Sequence, residues 1–308
     1  MIKVLYDVLI IGAGPAGMTA GIYAKRANLK VAMIEKYVPG GQIVNTAEIE
    51  NYTGFQKMSG YELATSMLNH TESIGVELIY DEVTNVIDEG SIKKVITPNQ
   101  TLETKVVILT TGTVPRKLGV PNEEILSSNG ISWCAICDGP MYKGKEVVVI
   151  GGGNSGVEEA SYLATLTTKV TVVQDMPHLT ADLKAQEILK QKDNVEIKLN
   201  ASVNKFVLDE FNKMAGVEIT NSNGEIEVIK ADGVFEYVGL IPVTGMVKEL
   251  GITNKFGYID VNEKMETRIK GVYSAGDVNV KQIRQVVTAT SDGAIAVQNA
   301  LKYLETWE

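Results

Sequence analysis

Two glycine-rich loops, each placed between a strand-like and a helix-like segment, constrain the fold of this chain more than any other feature. The first reads GAGPAG and carries Gly12, Gly14 and Gly17 at the spacing G-x-G-x-x-G. The continuous apolar run 7–11 before it is typical of a strand buried in a parallel sheet. The small and apolar residues 18–27 after it predict a helix. This order predicts the β-α-β unit of a doubly wound α/β domain.

The chemistry that such a loop serves is dinucleotide binding. The first glycine makes a tight turn, the second lets a pyrophosphate approach the backbone, and the third lets the helix pack on the strand. The amides at the start of the helix would face the phosphates. The next predicted strand, 30–34, is followed by Glu35, which lies 23 residues after Gly12 and suits a ribose hydroxyl pair.

The pattern returns in GGGNSG, where Gly151, Gly153 and Gly156 again stand between a predicted strand and a predicted helix. This second unit either binds another dinucleotide or keeps the fold of one after losing its ligand.

A third segment, near the C-terminus, complements the first loop. Residues 272–275 predict a short strand that leads into Gly276 and Asp277, and a helix follows from about Gln285. The Asp277 carboxylate would accept a hydrogen bond from a polyol chain, and the start of the helix would face the edge of a flavin ring.

Length and charge narrow the classes of function. The 308 residues suggest about two domains. The net charge of −9 argues against nucleic acid and against anionic membrane surfaces, and no apolar run is long enough to span a bilayer. The apolar N-terminal segment lacks a small-residue cleavage site, so we interpret it as the first strand and not as a signal peptide. With two cysteines and no signal, we expect a cytoplasmic protein.

The two cysteines, Cys134 and Cys137, stand in WCAICDG at C-x-x-C spacing. A structural zinc needs about four ligands, and His70 and His178 are isolated in the sequence, so we predict no metal site. A structural disulfide would close too short a loop to restrict the unfolded chain much. Two buried, inert thiols remain an alternative. The spacing itself favours redox chemistry, because it can lower one thiol pKa and lets the pair close reversibly.

Taken together, the motifs resemble those of the low-molecular-weight thioredoxin reductases, over nearly the whole chain and in the order of that family. Eight motifs carry the resemblance: GAGPAG at Gly12, GGQIVNTAEIENYTGF from Gly40, TTGTVPR at Thr110, CAICDG at Cys134, GGGNSG at Gly151, YVGLIPVT at Tyr237, SAGDV at Ser274 and RQVVTATSDGAIA at Arg284.

The resemblance implies an α/β fold with two Rossmann-like dinucleotide-binding domains, the second inserted in the first. The FAD-binding domain would comprise 1–115 and 244–308, and the NAD(P)H-type domain 116–243 would carry the C-x-x-C pair. The segments TTGTVPR and YVGLIPVT would form a hinge, about which the second domain rotates so that the thiols face either the flavin or the partner. Homodimers are usual in the family.

The resemblance also implies an FAD site. The pyrophosphate would lie on the first glycine loop, the adenosine ribose on Glu35, and the isoalloxazine near Gln42 and Asn51, while Val83 would offer backbone contacts to the adenine. The predicted cofactor-binding residues are Gly12, Gly14, Pro15, Ala16, Gly17, Glu35, Gly41, Gln42, Asn51, Val83, Gly112, Gly276, Asp277, Arg284 and Gln285.

The family's chemistry assigns a role to each residue of the redox motif. By resemblance, Cys137 is the thiol that meets the flavin, and Cys134 attacks the disulfide of a partner protein. Asp138 would be the acid/base that protonates the departing thiolate. The alternative for Asp138 is a turn residue at the start of DGPM.

The resemblance predicts a flavin-dependent dithiol/disulfide oxidoreductase that acts on thioredoxin or a thioredoxin-like protein. A reductase dedicated to another partner and a non-catalytic flavin-binding redox sensor are the alternatives. The stretch of sequence that would bind the electron donor differs from the family pattern. NADPH-using members carry an H-R-R-x-x-x-R run that grips the 2′-phosphate, whereas the matching stretch QDMPHLT, 174–180, has no Arg or Lys.

This difference makes NADPH use doubtful. Asp175 would suit an NADH ribose, although Gln174 is the residue in register with Glu35. The remaining donors are reduced ferredoxin and other dithiols, as in relatives of the family that do not use a nicotinamide. Other ways of holding NADPH stay open.

Overall fold

The structure is a computed structural model and describes residues 4–46, 49, 51–127 and 129–307. The chain divides into two compact units, the first formed by Met1–Val114 and Ile241–Glu308 and the second by Pro115–Leu240. The predicted boundaries, at 115/116 and 243/244, are one and three residues further along the chain. Residues 1–3 of the predicted N-terminal strand segment, and residues 47, 48 and 50 of the motif that starts at Gly40, lie outside the described residues.

Within the described residues the helices and strands follow the predicted α/β pattern. The α-helices are α1 (Pro15–Arg26), α2 (Gly60–Ser73), α3 (Glu123–Leu126), α4 (Ala135–Asp138), α5 (Asn154–Leu163), α6 (Leu183–Lys190) and α7 (Val286–Glu305), and 3₁₀ turns lie at Gly41–Asn45, Gly139–Tyr142 and Gly245–Leu250. The strands are β1 (Leu5–Ile11), β2 (Val31–Glu35), β3 (Glu77–Tyr80), β4 (Asn85–Glu89), β5 (Ile92–Ile96), β6 (Thr101–Leu109), β7 (Thr113–Pro115), β8 (Ile131–Ser132), β9 (Glu146–Ile150), β10 (Lys169–Val173), β11 (Val195–Lys198), β12 (Ser202–Leu208), β13 (Met214–Thr220), β14 (Ile226–Lys230), β15 (Gly233–Glu236), β16 (Leu240–Pro242) and β17 (Val272–Ser274).

The first unit is built on a sheet in the order β3-β2-β1-β6-β5-β4, with β17 added beside β6. Strands β3, β2, β1, β6 and β17 run parallel, whereas β4 and β5 pair antiparallel. Both faces of β1 are covered, because Val8 and Ile10 lie in one apolar cluster and Leu9 and Ile11 in another. This two-sided burial explains the continuous apolar run in the sequence.

Small residues let α7 approach α1 closely in the same unit. A Cβ on Gly293 would lie 2.2 Å from the carbonyl oxygen of Ala16, so only glycine fits there. Helix α1 begins at Pro15, whose missing N–H costs nothing at a helix start. The helices predicted from the sequence at 18–27 and from about Gln285 are therefore confirmed as α1 and α7, with starts at Pro15 and Val286.

The second unit repeats the design with a parallel sheet in the order β11-β10-β9-β15-β8. A separate antiparallel sheet, β12-β13-β14, completes it. The carboxyl ends of β8, β15 and β9 meet at one edge, since Ser132 pairs with Phe235 and Glu236 pairs with Ile150. This edge positions the cysteine motif, which directly follows β8.

The short strands β7 and β16 pair with each other and carry the chain between the two units. No described helix is long and apolar enough to cross a membrane.

Candidate active site

The two cysteines are joined in a disulfide, with their Cα atoms 5.3 Å apart. Cys134 caps the N-terminus of α4, and its Sγ accepts the backbone N–H of Cys137 at 3.2 Å. Both cysteines are partly exposed, whereas Ala135 between them is buried. The pair is thus formed as C-x-x-C spacing predicts, and it remains within reach of solvent.

Ser132, the last residue of β8, organises both ends of the redox motif. Its Oγ accepts the N–H of Cys134 at 3.1 Å, and its hydroxyl donates a hydrogen bond to Asp138 Oδ2 at 2.7 Å. Asp138 is the last residue of α4, so it follows Cys137 directly. The structure therefore joins Cys134 and Asp138, two of the three predicted catalytic residues, through one serine that sequence reasoning did not identify, and the disulfide links Cys137 to Cys134.

The end of β15 holds the same segment from the other side. The Tyr237 hydroxyl oxygen accepts the N–H of Ala135 at 2.7 Å, and Glu236 Oε2 accepts the indole N–H of Trp133 at 3.1 Å. Sequence reasoning missed Glu236 and Tyr237. The available signal was their position, because polar residues at the carboxyl end of a parallel strand lie where such sheets bind their ligands.

Two buried carboxyl groups near the motif have raised pKa values. Burial, with the charge of Glu123, raises the pKa of Glu236 to about 8, although the bond from Trp133 opposes the shift. Burial, with the charge of Glu158, raises the pKa of Glu159 to about 7. Burial raises the pKa of Tyr237 well above its usual range, and the charge of Glu159 adds to that shift. Glu236 therefore keeps its proton near neutral pH, whereas Glu159 titrates there.

The first glycine loop has the geometry that a pyrophosphate requires. Gly12 has a φ of +103°, and a Cβ on it would lie 2.6 Å from Thr110 O. A Cβ on Gly17 would lie 2.0 Å from Gly12 O, so helix and loop touch there. Gly14 differs from both, because a Cβ on it would meet no atom within 4 Å. The space beside Gly14, at the start of α1, is open for a ligand phosphate.

The polar residues predicted around this loop are held by hydrogen bonds within the protein. Glu35 accepts the N–H of Ala13 at Oε2 (2.8 Å) and of Tyr37 at Oε1 (2.9 Å). Asn51 Nδ2 donates to Gln285 Oε1 at 3.2 Å across 234 residues of sequence. The structure thus brings together two residues that were predicted from separate motifs.

The remaining residues predicted to bind FAD differ in their contacts, burial and backbone conformation. Gln42 Nε2 donates to Thr113 O at 3.2 Å, and Val83 is buried in the core cluster beside β1. Gly41 and Gly112 both have positive φ, of +62° and +65°, and a Cβ on Gly112 would meet no atom within 4 Å. Pro15 and Ala16 form the first turn of α1.

The C-terminal part of the proposed FAD site contains an unsatisfied carboxylate oxygen. Asp277 Oδ1 is buried and has no hydrogen-bond partner among the described residues, and burial raises the pKa of this group. Gly276, with a φ of +86°, donates its N–H to Asp292 Oδ2 at 3.0 Å. Arg284 lies over the ring of Tyr258 and donates to the carbonyl oxygen of Asp277 at 3.4 Å.

These residues fit FAD. An orphaned buried acceptor at Asp277 matches a polyol hydroxyl donor, and open space beside Gly14 and Gly112 matches a close backbone approach. The predicted individual contacts to FAD remain predictions.

The second glycine loop repeats the contacts of the first at the residue after its first glycine, where Ala13 donates its N–H to Glu35 and accepts the N–H of Gly40 at 2.7 Å. The carbonyl oxygen of Gly152 accepts the N–H groups of Thr180 (2.8 Å) and Ala181 (3.1 Å), and its N–H donates to Gln174 Oε1 at 3.0 Å. Gln174 thus occupies the position that Glu35 occupies in the first unit. A Cβ on Gly152 would lie 2.8 Å from Leu179 Cδ2, so the chain itself fills this position.

Comparisons with known proteins agree with this architecture. The sequence profile of the family described as pyridine nucleotide-disulphide oxidoreductase matches residues 6–293. A thioredoxin reductase of Bacillus subtilis (strain 168) is 44% identical over 306 residues, which cover 98% of this chain and 95% of that protein.

Two solved structures extend the comparison. Thioredoxin reductase from Streptococcus pyogenes MGAS5005 superimposes with a TM-score of 0.90 at 44% identity, with 99% of each chain covered. A ferredoxin-flavin thioredoxin reductase from Clostridium acetobutylicum is 29% identical, with a TM-score of 0.54 and coverage of 98% of this chain and 99% of that one.

Proposed function

This chain belongs to the thioredoxin reductase family of flavoprotein pyridine nucleotide-disulphide oxidoreductases, and we propose that it reduces the disulfide of thioredoxin or a thioredoxin-like protein through Cys134 and Cys137. We propose further that its electrons come from a donor other than NADPH, such as reduced ferredoxin or another dithiol. The observation that carries the first proposal is the partly exposed disulfide of Cys134 and Cys137, with the Asp138 carboxylate fixed beside it by Ser132.

The relay needs two thiol–disulfide exchanges. In the reduced enzyme the Cys134 thiolate attacks one sulfur of the partner's disulfide, forms a mixed disulfide, and releases the other partner sulfur as a thiolate. The Cys137 thiolate then attacks Cys134 Sγ, which re-forms the Cys134–Cys137 bond and releases the partner as a dithiol. Asp138 would hold the proton that a departing thiolate takes. Members of the family use FAD, which when bound would supply the two electrons that reopen the enzyme's disulfide.

The case against NADPH rests on the second glycine loop. The residue in register with Glu35 is the neutral Gln174, which is buried and bonded to Gly152 N. No Lys or Arg occurs between Gln174 and Asp182 to bind a 2′-phosphate. Asp175, the one acid close to this position, is exposed and one residue beyond it, which argues against an NADH ribose contact of the usual kind.

The loop that follows β10 bonds to the second glycine loop as Gly40 bonds to Ala13 in the first, so this contact does not distinguish the two loops. Leu179 is buried against Gly152, and Thr180 and Ala181 bond to the Gly152 carbonyl. The relative from Clostridium acetobutylicum, described as a ferredoxin-flavin thioredoxin reductase, makes ferredoxin the donor to test first. A homodimer and a cytoplasmic location, both expected from the sequence, remain part of the proposal.

The experiment starts from purified protein whose flavin and disulfide have been reduced with dithionite, with the excess reagent removed under anaerobic conditions. We expect it to reduce thioredoxin disulfide, which acid quenching and thiol alkylation would measure as new thioredoxin thiols. Yellow protein that never transfers electrons to any thioredoxin would contradict the proposal and favour the redox-sensor alternative. Transfer confined to another disulfide protein would favour the dedicated reductase.

A further inference from the structure

Two buried glutamates lie beside the redox segment and take no part in the chemistry described above. Glu236, at the end of β15, is 2% exposed, and Glu123, at the start of α3, is 3% exposed. The Glu123 carboxylate accepts three backbone N–H groups, from Leu118, Gly119 and Val120, at 2.9, 2.6 and 3.3 Å. Three such donors suit a charged carboxylate.

Among the described residues, Glu236 has one such donor, the Trp133 indole. Burial and the charge of Glu123 raise the pKa of Glu236 to about 8, and Glu236 Oε1 is buried with no hydrogen-bond partner among the described residues. Glu236 therefore keeps its proton at neutral pH. The opposite oxygen, Glu236 Oε2, accepts the Trp133 indole N–H at 3.1 Å.

This bond connects the carboxyl pair to the attacking thiol. Trp133 is adjacent to Cys134 in the chain, and Tyr237, the residue directly after β15, accepts the N–H of Ala135. Two consecutive residues, Glu236 and Tyr237, thus hold the Trp133 side chain and the Ala135 backbone on either side of Cys134. The Trp133 anchor depends on a group that can titrate, whereas the Tyr237 anchor is neutral over the physiological range.

Few other charges act on Glu236 among the described residues. Lys117, in the segment before α3, favours the ionised form of Glu236, but its ammonium is bound to the exposed Glu124 at 2.7 Å. Ile150, its register partner on β9, is apolar. The Glu123 carboxylate is therefore the main charge that Glu236 meets.

We propose that Glu236 is a positioning residue for the redox pair: its carboxyl group holds the Trp133 indole, and the proton that it binds beside Glu123 sets the negative charge next to Cys134. When this proton is lost, two negative charges occupy one buried site. The bond from Trp133 then strengthens, because it favours the ionised form of Glu236, and the added charge disfavours the Cys134 thiolate. The inference rests on the proposed role of Cys134 as the attacking thiol.

The indole N–H of Trp133 reports directly on this pair. The chain has two tryptophans, Trp133 and Trp307, so protein labelled with ¹⁵N-tryptophan gives two indole resonances, and Trp307→Phe assigns them. We expect the Trp133 resonance to titrate with a midpoint near the pKa of about 8. Glu236→Gln should abolish this titration, and Glu124→Gln, which changes an exposed neighbour of Glu123, should leave it unchanged.

A Trp133 resonance that stays constant between about pH 6 and about pH 10 in the unmodified chain would overturn the proposal. A titration of the Trp133 resonance that keeps the same midpoint in Glu236→Gln would also overturn the proposal. The titration of the unmodified chain needs no variant at the site, so it decides the matter even if a Glu236 variant does not fold.

A second measurement connects the proton to Cys134. In the Cys137→Ser background Cys134 is the only thiol, and its rate of alkylation by iodoacetamide follows its thiolate fraction. At about pH 6.5, Cys137→Ser and Cys137→Ser/Glu236→Gln should be alkylated at rates within about twofold of each other. At about pH 9, Cys137→Ser, which keeps Glu236, should be alkylated at least about threefold more slowly than the double variant. Equal rates across this range would refute the positioning role. Both measurements are independent of thioredoxin, so a failure of the proposed function would be seen separately.

Discussion

The Ser132 hydroxyl donates a hydrogen bond to Asp138 Oδ2 at 2.7 Å, and the Ser132 Oγ atom also accepts the N–H of Cys134 at 3.1 Å. Ser132 ends β8, and Asp138 ends α4. One side chain therefore ties the candidate acid to the strand that precedes the redox pair. A carboxyl group held in this way keeps a fixed orientation relative to the cysteine motif, as a general acid requires.

Replacement of Asp138 by asparagine should slow electron transfer to thioredoxin by roughly 10- to 10,000-fold, because asparagine cannot donate a proton to a departing thiolate. Ser132→Ala should slow it as well, and the double variant should be little slower than Asp138→Asn alone, since the two residues act as a unit. Single-turnover reduction of thioredoxin disulfide by pre-reduced enzyme would measure the rates. Ser202→Ala, at an exposed serine of β12, is the control. Unchanged kinetics in Asp138→Asn would reduce Asp138 to a turn residue.

The two cysteines should give opposite results in a trapping experiment. Cys137→Ser leaves Cys134 able to attack but removes the thiol that resolves the mixed disulfide, so a covalent complex with thioredoxin should accumulate. Cys134→Ser should form no such complex. Both variants should lose turnover and retain FAD, because neither thiol belongs to the Gly12 loop. Non-reducing electrophoresis and flavin absorbance would show this, and the reverse trapping pattern would exchange the assigned roles.

The second glycines of the two loops offer a matched pair of substitutions. Gly14 and Gly153 both have negative φ, and an added Cβ would meet no atom within 4 Å at Gly14 and only Thr180 Oγ1, at 3.8 Å, at Gly153. Gly14→Ala should therefore fold but lose FAD, because the methyl group takes the space of the pyrophosphate. Gly153→Ala should keep FAD and thioredoxin reduction by the pre-reduced enzyme. Flavin content after gel filtration measures the first effect, and full FAD retention in Gly14→Ala would contradict the placement.

Glu159 should make stability depend on pH. Its pKa is raised to about 7 from an ordinary 4.5, so the folded state binds a proton more tightly than the unfolded state does. The stability associated with this proton is fully present below pH 4.5 and is lost as pH rises through about 7. Glu159→Gln is neutral throughout, so we expect it to be more stable than the unmodified chain by about 1–3 kcal/mol above pH 7, with no gain below pH 4.5.

Urea unfolding at several pH values would measure this difference. Glu187→Gln, at an exposed glutamate of α6, serves as the control and should change the free energy of unfolding little at any pH. A Glu159→Gln variant that is equally stable or less stable at pH 8 would show that the buried carboxyl finds a favourable partner in the ionised form.

The sequence predicts the parts of the fold that follow from local pattern. The glycine spacings and the buried apolar run before Gly12 were sufficient to predict β1, α1 and the β-α-β order, because these features require particular residue types at particular positions. The C-x-x-C spacing likewise predicted the cysteine pair.

The supporting residues of the site could not be predicted in the same way. Glu236 and Tyr237 act through contacts that depend on strand order and join residues 103 and 102 positions apart in the sequence. The Ser132 contact is local, because Asp138 is six residues away, but it depends on the turn of α4, which no sequence pattern indicated. The counterpart of Glu35 in the second unit also had to be read from the structure. Only the structure shows that Gln174 bonds to the second glycine loop and that Asp175 is exposed.

The most direct test of the account is anaerobic mixing of the oxidised, FAD-loaded protein with NADPH, NADH or reduced ferredoxin, followed by flavin absorbance and then by thioredoxin thiols. Because the neutral Gln174 stands where the first unit has Glu35, and residues 175–181 carry no Lys or Arg, NADPH should not bleach the flavin at useful rates. Reduced ferredoxin should bleach it, and thioredoxin disulfide added afterwards should restore the absorbance. Rapid bleaching by NADPH at micromolar concentration would contradict the account.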